Sequence, residues 1–274
     1  MEPKLYLCAT PIGNMKDITL RTLETLAGVD AIYAEDTRNS LKLLNRYEIK
    51  KPLISCHEHN EAARAEEITA AVSQGRAVAF ISDAGMPGVS DPGARLIAAC
   101  IESGTPFEVL PGACAAVTAN VIAAFSDGFV FYGFLPRTNS ERKAVLERLK
   151  AAEEALVFYE SPLRVQRTLA DIAAALGDRE CALVRELTKL HEECVRGTLL
   201  SLSERFSQTP PKGECVIVVK GSRPEKKTLS EGEAELLIDS LLSEGMSKKS
   251  AAAELARRTG ISRNEAYKLV TERE

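Results

Sequence analysis

The chain has 274 residues, 45% hydrophobic and 27% charged, and its 35 basic and 39 acidic residues give a net charge of −4. The length suggests about two domains, and the composition excludes a disordered chain, a collagen-like repeat and a coiled-coil rod. The acidic excess argues against a protein held on nucleic acid by charge alone, while three His and no Trp argue against a His-rich metal site and tryptophan stacking.

Short apolar runs alternate with helical patterns over the first 220 residues. A strand at Leu5–Ala9 leads into Thr10-Pro11-Ile12-Gly13-Asn14 and a helix from Thr19 that ends near Gly28. The strand Ala31–Ala34 ends in Glu35-Asp36-Thr37-Arg38, before a helix over Ser40–Tyr47. Leu53–Cys56 is a strand that ends in His57-Glu58-His59-Asn60. In the next helix Asn60 is a capping residue, Ala65, Ile68, Ala71 and Val72 form one apolar face, and Gly75 is the stop. The strand Ala77–Ile81 precedes the loop Ser82–Asp91, and Asp91-Pro92 predicts a helix by the cap-then-proline pattern, closed by Gly104. Phe107–Leu110 runs into Pro111-Gly112 and an Ala-rich helix.

A second series has strands at Phe129–Phe134, Leu156–Tyr159, Ala182–Arg185 and Cys215–Val219, with a helix opened by Ser161-Pro162 and closed by Gly177. The alternation predicts an α/β fold with largely parallel sheet. Residues 125–128 mark a junction between an N-terminal domain (1–124) and a second α/β domain (125–222), and the polar segment 222–230 is a linker. Three short helices follow at Glu231–Glu244, Ser247–Arg258 and Ser262–Val270. The turn at 259–262 gives the 229–274 tail a helix-turn-helix-like form.

The seven Cys include no CxxC pair and number an odd count, so a disulfide framework or zinc ribbon is not expected and the setting is a reducing cytoplasm. No signal peptide or membrane span is expected. The dinucleotide fingerprint, the P-loop and Gly-x-Ser-x-Gly are all absent.

Ligand chemistry in open α/β sheets gathers beyond the C-terminal ends of the strands, where the unusual loops lie. Loop 82–91 holds two Gly, a Pro and two Asp. It reads as a ligand-binding loop or as a turn with two capping Asp. Glu35-Asp36-Thr37-Arg38 reads as substrate binding and proton transfer, or as a helix cap with a surface ion pair. His57 and His59 share a face if the strand stays extended, and a polar substrate wall or solvated strand end fits them better than a metal site. Tyr159-Glu160-Ser161-Pro162 and Glu186-Leu187-Thr188-Lys189 set carboxylates at two further strand ends, which read as parts of a ligand site or as a helix cap and a surface charge pair. From 246 to 274, seven basic residues against four acidic give a net +3, which suits nucleic-acid contact or an ordinary solvated surface.

These motifs, in this order and with Lys212-Gly213-Glu214 after them, resemble the ribosomal RNA small subunit methyltransferase I family over residues 4–221; the tail resembles that family's helix-turn-helix extension. The resemblance implies a two-domain tetrapyrrole-methylase fold with S-adenosylmethionine in the cleft. It also implies a homodimer that 2′-O-methylates a cytidine in the decoding region of 16S rRNA, within the small ribosomal subunit. Carried over position by position, the donor contacts are Pro11, Ser82, Asp83, Gly85, Met86, Val89 and Ser90, then Ala113, Cys114 and Ala115. From the second domain they are Tyr159, Glu160, Leu187, Thr188, Gly213 and Glu214. Met86 and Cys114 depart from the polar residues usual at those places, which leaves backbone contacts open and removes hydroxyl ones.

A ribose 2′-hydroxyl is a weak nucleophile and needs a base or acceptor. Glu35, Asp36, His57, Glu160 and Glu186 are the candidates, and no metal is required. Arg38, Arg137 and Lys189, with Lys248, Lys249, Arg257, Arg258 and Arg263 in the tail, are candidate phosphate contacts. The rival expectations are a precorrin-type C-methyltransferase on the same fold and a non-catalytic ribosome-binding factor.

Overall fold

The computed structural model describes residues 1–126, 128–222, 231–259 and 261–272, with the side chains of 231–233 left aside. Most of the expected linker, Asp127 of the expected junction, Gly260 of the tail turn and the terminal Arg273 and Glu274 lie outside these residues. Residues 1–221 form one compact unit, and 222–274 form a second.

The larger unit holds two five-stranded sheets. The first contains β1 (Leu5–Cys8), β2 (Ala31–Ala34), β3 (Leu53–Ser55), β4 (Val78–Ile81) and β5 (Phe107–Leu110) in the order β3-β2-β4-β1-β5. All its pairings are parallel. The two-residue side-chain period of a strand divides its core. Leu5 and Leu7 face one cluster with Ile68, Val72 and Leu96, whereas Tyr6 and Cys8 face the other with Leu26 and Leu44. Each face is covered by helices: α1 (Leu20–Gly28) and α2 (Thr37–Arg46) supply Leu26 and Leu44, and α3 (Glu61–Ser73) and α4 (Ala94–Ser103) the opposing residues. Such double covering explains the near-continuous apolar runs of the strands.

The second sheet contains β6 (Phe129–Phe134), β7 (Ala155–Glu160), β8 (Glu180–Arg185), β9 (Glu193–Thr198) and β10 (Cys215–Val219) in the order β6-β7-β10-β8-β9. Here the expectation of a largely parallel sheet fails. Only β6 and β7 run parallel, and the other three pairings are antiparallel. The cause is β9, a strand the sequence conceals because Glu-Cys-Val-Arg-Gly-Thr carries no apolar run. It folds back on β8 without a crossover helix, and β10 then inserts between β7 and β8. Helices α6 (Asn139–Leu149), α7 (Val165–Leu176) and α8 (Leu199–Gln208) cover one face. The other face is covered by α5 (Ala115–Ala123), which follows the last strand of the first sheet. Ala116, Ala119 and Ala123 are buried against Val157, Val184 and Val218.

Two expected caps are replaced. Asn60 accepts from the His57 amide at 2.8 Å and donates to the Ser55 carbonyl at 3.3 Å, so its side chain holds the turn and not α3. Asp91 does not cap α4, which starts three residues later. Gly93, at φ 134°, turns the chain between Pro92 and the helix, a conformation L side chains rarely adopt. The cap comes from α3. The Glu61 Oε1 accepts from the amides of Gly93, Arg95 and Leu96 at 2.9, 3.1 and 3.3 Å, and Glu61 is only 4% exposed. Similarly, α7 starts at Val165, after a turn over Ser161–Arg164.

The second unit comprises α9 (Glu231–Ser243), α10 (Lys248–Thr259) and α11 (Arg263–Thr271) around Ile238, Leu241, Leu255, Ala266 and Val270. Ser262 caps α11 through the Glu265 amide at 3.2 Å. No helix among the described residues is long and apolar enough to cross a membrane.

The Glu61 contacts carry a stability prediction. Three amides at the start of α4 share one buried acceptor, so Glu61→Ala lowers the unfolding free energy by about 1–3 kcal/mol. Denaturant unfolding measures this; an unchanged midpoint would show that the cap is dispensable.

Candidate active site

The C-terminal ends of the first sheet's strands and the loops of the second sheet enclose a cavity of about 360 Å3, within the size range of small-molecule sites. From the first sheet, Ile12 comes from the loop after β1, Gly85, Met86, Val89, Ser90 and Asp91 from the loop after β4, and Cys114 and Ala115 from the start of α5. The second sheet contributes Phe134, Tyr159, Glu160, Leu187, Gly213 and Glu214. The loops after β1 and β4 are bound to each other, since the Thr10 and Gly85 amides each donate to the other's carbonyl at 2.9 and 3.0 Å. The Tyr159 hydroxyl accepts from the Ala116 amide at 3.1 Å. That joins β7 to the first turn of α5, and burial pushes the tyrosine's pKa up to about 12.

Eleven of the residues expected to contact a donor thus share one cavity: Gly85, Met86, Val89, Ser90, Cys114, Ala115, Tyr159, Glu160, Leu187, Gly213 and Glu214. The remaining five lie elsewhere. Pro11, Ser82 and Asp83 border a smaller cavity of about 190 Å3, with Ser40 and Lys42. Ala113, two residues before α5, is half-buried against the apolar cluster beneath that helix. Thr188 accepts from the Asn14 amide at 3.0 Å and so ties the second sheet's loop to the first sheet's. Ser90, Glu186 and Thr188 adopt positive φ of 63°, 52° and 65°. Strained backbone of this kind persists where the surrounding structure dictates it, often at functional sites.

The five candidate bases separate clearly. Asp36 is the N-cap of α2, which begins at Thr37 and not at Ser40. It accepts from the Arg38 amide at 2.8 Å and pairs with the guanidinium at 2.7 Å. Arg38 holds its pKa down to about 2. Glu160 is buried and accepts from the Thr168 hydroxyl at 2.6 Å and the Ser161 amide at 2.8 Å. Glu186 pairs with Lys189 at 2.9 Å, and that bond lowers its pKa. Glu35 accepts from the Asp83 amide at 3.2 Å, and burial raises its pKa. Glu35 and His57 line a third cavity, of about 520 Å3, with Glu58, His59, Ser90, Asp91 and Arg95. His57 and His59 lie at a turn and not on extended strand, their ring centroids 5.8 Å apart.

Asp91 is a further candidate base, one that its sequence pattern conceals. Its Asp-Pro pattern reads as a helix cap, although Gly93 after Pro92 is the signal of a turn. Asp91 lines both the inter-sheet cavity and the third cavity. Burial, followed by the charges of Glu35 and Asp83, pushes its pKa up to about 7.

The candidate phosphate contacts also divide. Arg38 and Lys189 are neutralised by Asp36 and by Glu186 and Glu214. Arg257 and Arg258 both pair with Glu254, at 2.6 and 2.7 Å. Arg137, Lys248, Lys249 and Arg263 are exposed and form no ion pair among the described residues.

Comparison with known proteins joins these features. A family model described as Tetrapyrrole (Corrin/Porphyrin) Methylases matches residues 4–203, and one described as RsmI C-terminal HTH domain matches residues 229–274. The Synechocystis protein named ribosomal RNA small subunit methyltransferase I is 42% identical over 98% of both chains. Its Bacillus subtilis namesake is 41% identical over 96% of this chain and 92% of its own. Among solved structures, the Thermus thermophilus uroporphyrin-III C-methyltransferase complexed with S-adenosyl homocysteine superposes with a TM-score of 0.56, at 16% identity, over 79% of this chain and 97% of its own. At that identity the likeness shows the fold alone, but identity across nearly the whole chain shows more: the chain belongs to the ribosomal RNA small subunit methyltransferase I family, built on the tetrapyrrole-methylase fold.

Proposed function

We propose that the chain transfers a methyl group from S-adenosylmethionine to the 2′-oxygen of a cytidine ribose in the decoding region of 16S rRNA, within the small ribosomal subunit. The observation that carries this reading is the cavity between the two sheets, lined by strand-end loops of both. Its residues suit the donor. Ile12, Met86, Val89, Leu187 and Val216 offer apolar surface to an adenine ring, and the carboxylates of Glu160 and Glu214 favour a cationic sulfonium. The donor supplies an electrophilic methyl carbon already activated by its sulfonium.

The chain's contribution is then orientation and proton management. Methyl transfer is an in-line displacement, so holding the acceptor oxygen opposite the sulfur supplies much of the acceleration. The Thr10–Gly85 pairing, the Tyr159–Ala116 bond and the Thr188–Asn14 bond fix the walls that do this. Cytidine specificity, the decoding-region position and homodimeric assembly follow from the family resemblance, and a cytoplasmic site of action from the cysteine pattern. With a net charge of −4 and with Arg38 and Lys189 internally paired, the larger unit offers little general attraction for RNA. The acceptor is therefore the assembled small subunit, recognised by shape, with the tail adding exposed Lys248, Lys249 and Arg263.

Three outcomes are expected. With labelled S-adenosylmethionine and small subunits from cells lacking the modification, label appears on a cytidine 2′-oxygen; label on a base would contradict the reading. Naked 16S rRNA takes up far less label than intact subunits; equal uptake would remove the shape argument. Deletion of 229–274 leaves donor affinity unchanged in calorimetry but weakens subunit methylation, and a loss of donor affinity would refute that division of labour.

A further inference from the structure

Asp91 stands on the wall between two cavities. On one side it borders the inter-sheet cavity with Met86 and Tyr159. On the other it borders the wider one with Glu35, His57 and Arg95. Among the described residues its carboxyl group has no hydrogen-bond or ion-pair partner. Each carboxylate among the earlier candidates is engaged by an amide, a hydroxyl or a cation, and Glu35 and His57 border only the outer cavity. The local fold keeps Asp91 free. Glu61 supplies the cap that an Asp-Pro pattern would otherwise supply, Gly93 turns α4 away, and Ser90 at φ 63° redirects the chain just before it.

We infer that Asp91 is the general base of the transfer, its carboxylate taking the proton of the acceptor 2′-hydroxyl that enters from the outer cavity. The inference rests on the 2′-O-methyltransferase reading. As the ribose oxygen forms its bond to the methyl carbon, its proton passes to Asp91. The methyl–sulfur bond breaks with both electrons remaining on sulfur, and S-adenosylhomocysteine leaves uncharged. Asp91 then returns the proton to solvent through the open outer cavity.

The electrostatic setting matches this role. The charges of Glu35 at the end of β2 and Asp83 at the end of β4 act on Asp91, Tyr159 at the end of β7 borders it as a neutral phenol, and His57, Glu58, His59 and Arg95 complete the outer cavity. A carboxyl near 7 is ionised enough to accept a proton at neutral pH and basic enough to make the transfer productive. The same shift has a stability consequence. Because the folded state favours the protonated acid, Asp91 weakens folding progressively as pH rises from the ordinary aspartate range through about 7. Asp91→Asn removes that loss, so the variant melts at or above the wild-type temperature at neutral pH.

The test compares the full-length wild type, Asp91→Asn and Asp91→Glu in single-turnover label transfer to small subunits across the neutral range. S-adenosylhomocysteine affinity and thermal melting are measured alongside. The wild-type rate rises with pH through about 7 and levels off. Asp91→Asn slows transfer by roughly 10²–10⁴-fold with a flat profile, while binding S-adenosylhomocysteine as tightly as wild type. Asp91→Glu recovers part of the rate together with the pH-dependent limb. An Asn variant that transfers at nearly the wild-type rate, or that loses donor affinity in proportion to rate, overturns the assignment and leaves the function standing. A wild type that transfers no label to subunits overturns the function and the assignment together.

Discussion

The packing of α5 against the second sheet is the constraint on which the rest depends. The helix leaves the last strand of the first sheet through Pro111 and Gly112 and lays Ala116, Ala119 and Ala123 on β7, β8 and β10. Alanine leaves little side chain between helix and sheet, so the backbone of α5 sits close to the strands. A helix connected to one sheet but packed on the other cannot move with only one of them. Its first turn, with Cys114 and Ala115, is also a wall of the cavity. The site between the sheets is therefore fixed by an apolar contact, and the polar ties at Tyr159 and Thr188 refine it.

A second consequence concerns the loop after β4. It reaches the second sheet at Gly133, where β6 carries a bulge and φ is 81°. A side chain there would run into Ser90, its Cβ only 2.7 Å from the Ser90 hydroxyl. Bulges re-aim a strand and its neighbours, and this one makes room for the turn that carries Asp91. The cap from Glu61 completes the arrangement, because it satisfies the amides of α4 from a different helix. A residue that looks structural by its sequence pattern is thereby left without a structural duty.

Much of this was legible from the residues. The parallel strands of the first sheet, the apolar face of α3 and the three tail helices follow from apolar periodicity and turn residues. The ordered motifs at the strand ends brought eleven of the sixteen expected donor contacts to one cavity. The rest was hidden for physical reasons. β9 is a polar edge strand with no periodic signal, and its presence reverses most pairings in the second sheet. Capping is a competition among side chains, and local sequence does not show that Glu61, some thirty residues earlier, wins it from Asp91. The Asp36–Arg38 and Glu186–Lys189 pairs match the cap and ion-pair readings open to those two motifs, whereas the Glu214 contact to Lys189 joins separate loops and is hidden from local sequence.

The most direct test of the central claim, that the inter-sheet cavity is the donor site, is a crystal structure with S-adenosylhomocysteine. The ligand is expected between the Met86–Ser90 loop and the Tyr159 and Gly213 loops, with its sulfur facing Asp91. Ligand seated instead in the smaller cavity beside Ser40 and Ser82 would contradict it.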